Sequence, residues 1–300
     1  MILADFSGIA VAAMFSQSTA KIDETLIRHL ILNSLRMHNV KYRKEYGQMV
    51  VCCDGGANWR RDIYAQYKQK RRDSKEAQIN ADKNAVDWDE FFRVLHLVRS
   101  EIKENLPWKV IHVPGTEADD VIATVVRETQ EFGNHDDVMI ISSDHDFIQL
   151  HKYDNVAQFS PAIKKLVKES NPMKYAFEQI LRGCGGDGVP NILSDDNVFL
   201  TEGARQTPMT AKKVDLLWDA YKTGTLPAEL DKLSSSASVR FGRNMAMIDL
   251  LEQNAMPTEY KTEILRQLKE PTAPASKVMN YLIKKRCGQL ISSVPEFFIT

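Results

Sequence analysis

The chain has 300 residues, of which 43% are hydrophobic and 26% charged, a composition typical of a globular protein with a sizeable core. Its 39 Lys and Arg nearly balance its 40 Asp and Glu, so the overall charge indicates neither a nucleic-acid-binding protein nor a strongly acidic one. A charged partner must therefore be sought in local clusters.

The cysteines and the N-terminal residues indicate the cellular compartment in which the protein is expected. The four cysteines include no C-x-x-C pair, and a large core needs no disulfide, so a reducing cytoplasm fits best. The start of the chain lacks a basic signal-peptide region, and no apolar run approaches the roughly 18 to 20 residues of a membrane helix. We therefore expect a cytoplasmic protein that is neither secreted nor membrane-spanning.

In the first half of the chain, short apolar runs alternate with longer helical patterns. This alternation predicts a mostly parallel sheet with helices on both faces. The predicted strands are ILAD, QMVVCCD, WKVIHV and DVMIISSD, and the predicted helices span about Ile22–Glu45 and Val86–Glu104, with a third beginning near Glu117.

From about Asn171 onward the pattern is helical, so we predict an α/β domain over residues 1–170 and a helical domain over residues 171–300. Polar residues at Arg71–Ala85 and serines at Ser234–Ser238 predict flexible regions. The clearest helical segments of the second part are Met173–Leu181, Ala211–Lys222, Arg243–Glu252, Glu259–Leu268 and Lys277–Lys285.

Acidic residues stand at the carboxyl ends of the predicted strands. Because these ends meet at one crevice of an open α/β sheet, we expect the acids to converge. Two pairs, Glu117 with Asp119 and Asp144 with Asp146, are spaced by two residues, which in extended backbone aims both side chains to one side. Carboxylates so close together must either take up protons or share cations, and an all-oxygen set suits Mg²⁺ or Mn²⁺ better than zinc. The acids are Asp5, Asp54, Glu117, Asp119, Asp120, Asp144 and Asp146.

Each acid also has a simpler interpretation. Residues 117–120 could be the acidic first turn of a helix, and Asp144 could be a helix cap or an ordinary turn residue. A metal site is favoured because the same pattern recurs at every predicted strand of the first half.

A basic segment with aromatic residues follows Asp54. Residues 60–75 contain seven Lys or Arg and two Asp, with Tyr64 and Tyr67 interleaved. Cations can follow a phosphate backbone while aromatic rings stack on unpaired bases. The alternative is a solvated basic helix, but the position beside the acids favours nucleic-acid binding.

In the glycine-rich stretch 183–190, Gly186 and Gly188 allow backbone N–H groups to approach a phosphate. The alternative is a plain flexible loop.

Five motifs can be compared with known families: ADFSGIA, CDGGANWRRD, TEADD, SSDHDF and GGDGVPN. With them the sequence resembles the flap-endonuclease family of 5′ nucleases, and most of all its phage ribonucleases H. The resemblance is collinear over essentially the whole chain. It implies a PIN-like nuclease domain, a helical arch at about residues 57–85, and a helix-three-turn-helix element that binds duplex. The turn of that element is expected from near Asp187 to about Ala204.

The resemblance also implies two magnesium sites, in which Mn²⁺ is expected to substitute. Asp5, Asp54, Glu117, Asp119 and Asp144 are expected around the first ion, and Asp146 and Asp187 at the second, with Asp144 between them. Cys184 stands where the family has the first Asp of a G-D-x-x-D pattern, which predicts weaker binding at the second site.

By the same resemblance, Arg61, Tyr67, Lys68 and Arg71 grip the strand that is cut. The local pattern adds Arg60, Tyr64, Gly186 and Gly188 as nucleic-acid contacts. The expected reaction is metal-assisted hydrolysis that depends on Asp119, with Lys68 or Arg71 stabilising charge on the phosphate and with no side-chain nucleophile.

The implied activity is that of a 5′ to 3′ exonuclease acting on RNA–DNA hybrids and on duplex DNA with a 5′ end or flap. It would remove primers in phage DNA replication, as a monomer in the host cytoplasm.

Two protein partners are also considered. Residues 294–300 either dock on a sliding clamp or pack back on the helical domain, and a single-strand-binding protein is a further expected partner. The alternatives are a non-catalytic branched-DNA-binding protein and a phosphatase, whose second Asp would fall at Ser7.

Overall fold

The computed structural model describes residues 1–15, 23–71, 87–131 and 133–298, which form two compact units. Unit 1 comprises Met1–Ala57, Val86–Lys168 and Thr258–Thr300, and unit 2 comprises Asn58–Ala85 and Glu169–Pro257. The domain boundary at residue 170 stays a prediction. Among the described residues, no helix is both long and apolar enough to cross a bilayer.

A six-stranded sheet forms the centre of unit 1. Its strands are Ile2–Asp5 (β1), Met49–Cys53 (β2), Lys109–His112 (β3), Val138–Ile141 (β4), Val156–Ser160 (β5) and Lys165–Val167 (β6). They lie in the order β3-β2-β1-β4-β5-β6. All neighbours pair in parallel except β5 and β6, so the predicted mostly parallel sheet is confirmed. The near-continuous apolar runs of β2 and β4 are buried throughout, as expected where helices cover both faces.

The helices of unit 1 begin and end where the sequence offers caps. Asp23 accepts a hydrogen bond from the amide of Leu26 at the start of the longest one, and Gly47, with φ of +79°, ends it. The described helices of this unit are Phe6–Phe15, Glu24–Tyr46, Trp88–Asn105, Ala118–Gln130, Thr258–Leu268, Lys277–Lys284 and Gly288–Ile291, with 3₁₀ helices at His145–Lys152 and Val294–Phe297.

The C-terminal segment packs on the α/β unit, so the expectation that it packs on the helical domain is wrong. Phe297 is fully buried and stacks on Trp108, with ring centroids 5.4 Å apart. The side-chain amide of Asn39 donates to the carbonyl of Glu296 at 2.7 Å. The reason is physical: an aromatic residue near the end of the chain fills a gap in the core of unit 1.

Unit 2 is helical in its described part. Its core contains Phe177, Leu181 and Leu217. The helix predicted at 243–252 spans Ala237–Ile248 in the structure. The preceding helix ends with Ser234 as its C-cap, so the serine-rich stretch is a junction between two helices. The described helices are Arg60–Ile63, Pro172–Arg182, Ala211–Lys222, Leu226–Leu233 and Ala237–Ile248, with a 3₁₀ turn at Gly185–Asp187.

The helical arch concerns residues 57–85, of which the part from residue 72 onward lies outside the described residues. The turn expected from Asp187 to Ala204 lies between the helices Pro172–Arg182 and Ala211–Lys222. Its role in duplex binding stays a prediction.

Candidate metal centre and nucleic-acid interface

The metal centre is built on the carboxyl ends of β1 and β2. Asp5 is the last residue of β1, and Asp54 directly follows β2. The parallel register pairs Asp5 with Cys52, so both acids emerge at the same edge of the sheet. The placement expected for acids at strand ends is therefore observed.

Asp5 is held by one donor on each carboxylate oxygen. The amide of Gly8 donates to Oδ1 at 3.0 Å, and the hydroxyl of Ser142 donates to Oδ2 at 2.7 Å. Burial, and secondarily the charge of Asp54, raise the pKa of Asp5 to about 6. A Cβ at Gly8 would lie 2.4 Å from Oδ2, so only glycine leaves room for the carboxylate there.

Asp54 faces the N-terminus of the helix Ala118–Gln130. Its Oδ1 accepts from the amide of Ala118 at 3.0 Å, where the helix dipole favours negative charge. The amide of Glu117 donates to Oδ2 of Asp120 at 2.9 Å, which fixes the entry into the helix. Nearby, the amide of Gly55 donates to the carbonyl of Thr116 at 2.8 Å.

Three carboxylates converge in unit 1. Asp119, Asp144 and Asp146 each offer a ligand oxygen, and these atoms lie within 4.8 Å of one another. An all-oxygen donor set at this spacing fits a hard divalent cation, which would also relieve the repulsion among the acids.

The local backbone differs from the extended geometry expected for the two pairs of acids. Asp119 lies in the first turn of the helix that begins at Ala118, and Asp144 caps the 3₁₀ helix that contains Asp146. Oδ1 of Asp144 accepts from the amide of Asp146 at 2.9 Å. The simpler interpretations, a helix first turn and a cap, thus describe the backbone correctly, yet the carboxylates still meet.

Two residues of this centre escaped sequence reasoning. Gln158, on β5, is fully buried, and its side-chain amide donates to the carbonyls of Ser142 and Asp144 at 3.0 and 2.6 Å. Ser142 stood inside the SSDHDF motif without an assigned role. Nothing in the sequence pointed to Gln158, because the strand that carries it was not predicted.

In unit 2, the basic segment is less exposed than its composition indicates. Arg60 is buried, and its Nε donates to the carbonyl of Met247 at 2.9 Å. The rings of Tyr64 and Tyr67 are buried in the core, and the hydroxyl of Tyr64 donates to the carbonyl of Asp196 at 2.5 Å. Arg61 is exposed. Nucleic-acid contacts by these residues stay predictions.

The cations expected to stabilise the phosphate pair with Asp187. Nη2 of Arg71 lies 3.1 Å and Nζ of Lys68 3.9 Å from its Oδ1, and the backbone amide of Lys68 donates to its carbonyl at 2.7 Å. A Cβ at Gly186 would lie 3.2 Å from Arg71, and Gly188, with φ of +75°, is left-handed. Asp187 belongs to unit 2, so its share in a second metal site stays a prediction.

Residues 2–179 match the family described as 5′-3′ exonuclease, N-terminal resolvase-like domain. The chain is also 32% identical over 306 aligned residues to the ribonuclease H of Enterobacteria phage T4, covering 98% of this chain and 95% of that protein. The chain belongs to the 5′-3′ exonuclease family. The predicted likeness to phage 5′ nucleases is thereby confirmed, and so is the prediction of a hydrolase: this member of the family is a metal-dependent nuclease.

Other relatives extend the family assignment. A DNA polymerase I of Chloroflexus aurantiacus is 28% identical over 229 residues, which cover 69% of this chain and 21% of that protein. A structure of the T5 5′-exonuclease with bound divalent metal ions (zinc) has the same fold, with a TM-score of 0.60 and 19% identity over 99% of this chain and 98% of that one. The PIN-like nuclease fold with a helical C-terminal region is thus confirmed.

Proposed function

We propose that this protein is a Mg²⁺-dependent 5′ to 3′ exonuclease and flap endonuclease with ribonuclease H activity. It would remove RNA primers and adjacent DNA during phage DNA replication, in the cytoplasm of the infected cell. The convergence of Asp119, Asp144 and Asp146 in a member of this family supports the proposal most directly.

We assign two metal ions to the carboxylates, with Mn²⁺ able to replace Mg²⁺. The oxygen ligands favour these hard cations, and the acids would repel one another and the substrate without them. The first ion is assigned to Asp5, Asp54, Glu117, Asp119 and Asp144, and the second to Asp146 and Asp187.

The chain would position the substrate and the metals rather than attack the phosphate itself. When bound, divalent ions act as Lewis acids that lower the pKa of a coordinated water and offset charge on the scissile phosphate. Donors from Gly8, Ser142 and Ala118 hold Asp5 and Asp54 in fixed orientations. The cations of Lys68 and Arg71 would exchange Asp187 for a phosphate when a strand end arrives.

The test of the metal centre is Asp119→Asn, assayed on a 5′-labelled RNA–DNA hybrid with Mg²⁺. Glu128→Gln is the matched control, because Glu128 lies on the same helix, near its other end. We expect cleavage to be lost in the first variant and retained in the second. Undiminished cleavage by the Asp119 variant would refute the ligand assignment.

The substrate class is tested by mapping products on hybrid, nicked and 5′-flap substrates, beside a closed circular duplex. Cleavage confined to substrates with a 5′ end supports the proposal, and equal cleavage of the circle contradicts it. Tight binding of branched DNA without any metal-dependent cleavage would instead favour the non-catalytic alternative.

For partners, we propose a sliding clamp and a single-strand-binding protein. Clamp binding through the C-terminal segment would require that Phe297 leave its buried site on Trp108. Phe298, which packs on the same core, offers a milder change. Clamp affinity unaltered by Phe298→Ala and by deletion of residues 294–300 would exclude this segment as the docking peptide.

A further inference from the structure

We propose that Ser142 and Gln158 are positioning residues that set the spacing of the metal-binding carboxylates. The inference rests on the proposed function, because it takes Asp5 and Asp144 as ligands. Neither residue carries a charge, and their hydrogen bonds go to Asp5 and to the backbone at Ser142 and Asp144, so we expect any effect on the reaction to pass through the acids.

Ser142 connects two strand ends. Its hydroxyl has a single proton, which it donates to Oδ2 of Asp5 at 2.7 Å, and the same oxygen accepts the backbone amide of Asp144 at 3.1 Å. The side chain is buried, so water cannot replace it without a rearrangement. The carboxylate at the end of β1 is thereby tied to the backbone that carries the acid after β4.

Gln158 holds the backbone of residues 142–144, the turn that follows β4. Its two amide protons go to the carbonyls of Ser142 and Asp144, which flank Ser143. The orientation of the amide is determined, because a flipped group would place an oxygen against two carbonyl oxygens. Its own oxygen is buried and has no hydrogen-bond partner among the described residues. A buried acceptor without a partner is unfavourable, and the two hydrogen bonds that the amide donates to the carbonyls offset that cost.

These hydrogen bonds affect the positions of the three converging carboxylates. Asp144 caps the 3₁₀ helix of Asp146 through its own side chain, so moving the turn would move both acids relative to Asp119. Hydrogen bonds behind metal ligands typically change metal affinity by about 10- to 100-fold when removed. We expect Ser142 and Gln158 to act in this way.

The turn supplies a matched control. Ser143 is exposed, and its hydroxyl contacts the hydroxyl of Ser160 at 2.9 Å and the amide of Ala162 at 3.1 Å. Ser142→Ala and Ser143→Ala therefore remove the same atom from adjacent residues, and only the first removes a contact to a carboxylate.

The experiment measures Mn²⁺ affinity by electron paramagnetic resonance without nucleic acid, and then the Mg²⁺ concentration for half-maximal cleavage. For Ser142→Ala we expect both values to weaken about 10-fold, with kcat largely recovered at saturating metal. Ser143→Ala should stay within about twofold of wild type, and Ser142→Thr should restore the affinity because it keeps the hydroxyl. Gln158→Met should resemble Ser142→Ala.

Folding and ligation are controlled separately. Far-ultraviolet circular dichroism and melting of the metal-free protein identify a variant that fails to fold. If Ser142→Ala fails to fold, Ser142→Cys, which nearly keeps the side-chain volume, is measured in its place. Wild-type Mn²⁺ affinity in folded Ser142 and Gln158 variants would overturn the inference. If Asp144→Asn also bound Mn²⁺ like wild type, the ligand assignment itself would be wrong, which distinguishes the two failures.

Discussion

The acids at the sheet edge and the basic segment after Asp54 differ in how well the sequence predicts where their side chains lie. The acids lie at the rim of the sheet as expected from their places at strand ends, and backbone amides orient Asp5 and Asp54 there. The basic segment instead places Arg60, Tyr64 and Tyr67 in the core of unit 2 and pairs Lys68 and Arg71 with an acid. A carboxylate at a strand end is positioned by topology, whereas the position of a long cationic or aromatic side chain depends on what it packs against.

The largest expected effect concerns the acids. Replacing Asp144 by Asn keeps the shape of the side chain but removes a charge from the site. We expect kcat to fall by at least about 10³-fold, since metal-ion stabilisation of the transition state is worth several kcal/mol. Single-turnover cleavage of a 5′-labelled hybrid measures it, and the exposed Asp136→Asn, beyond the far end of β4, should change nothing.

The loop behind Asp54 should respond strongly in stability. A Cβ at Gly55 would lie 2.0 Å from the carbonyl oxygen of Val113, so Gly55→Ala must displace backbone and should cost about 2 to 3 kcal/mol in the free energy of unfolding. At Gly56 a Cβ meets no atom, and the φ of +88° alone should cost about 1 kcal/mol. Urea titrations of the metal-free proteins compare them; equal losses would refute the steric explanation.

The tyrosines of the basic segment distinguish packing from base stacking. Tyr67 is only 3% exposed, so Tyr67→Ala should lower the free energy of unfolding by about 3 kcal/mol through the cavity it leaves. A stacking residue would instead lose affinity for single strands with little change in stability. Denaturant titration and fluorescence binding on the same samples decide between these two outcomes.

Arg71 should show a moderate effect on substrate binding. We expect Arg71→Ala to raise KM about 10-fold and to lower the salt dependence of binding by about one phosphate contact. The exposed Lys212→Ala removes the same charge from the same unit and is the control. An unchanged salt slope would mean that Arg71 serves only its ion pair with Asp187.

The smallest expected effect concerns Cys184. Restoring the family's acid with Cys184→Asp should lower the Mg²⁺ concentration for half-maximal cleavage about threefold, because another anionic ligand tightens a hard-cation site. Cys184→Ser tests the loss of the thiol alone. A higher magnesium requirement in the Asp variant would exclude position 184 from the second site.

Much of the fold could be predicted because its signals are local. Apolar runs that end in Asp marked β1, β2 and β4, and the caps at Asp23 and Gly47 bound a long helix close to its predicted limits. The strands β5 and β6 were missed because they are short and only partly apolar. Their residues pair through contacts that periodicity does not encode.

For the site, the sequence identified the acids but not what holds them. Asp119 and Asp146 were expected in extended backbone, and they meet instead through a helix turn and a 3₁₀ turn. Gln158 reaches its acceptors across strands, and no spacing along the chain indicates that. No local pattern indicated that Phe297 packs on Trp108, because the two residues are distant in sequence.

The assembly of unit 1 from three separate stretches has a consequence for synthesis. Its core includes Val278, Leu282 and Phe297, so the unit that bears the acids cannot complete its packing until residues 258–300 have been translated. Domains that are continuous in sequence fold as they emerge, from the N-terminus onward. Residues 258–300 thus act as a closing step for the core, and a nascent chain stalled before residue 258 would leave the apolar surface beside β3 uncovered.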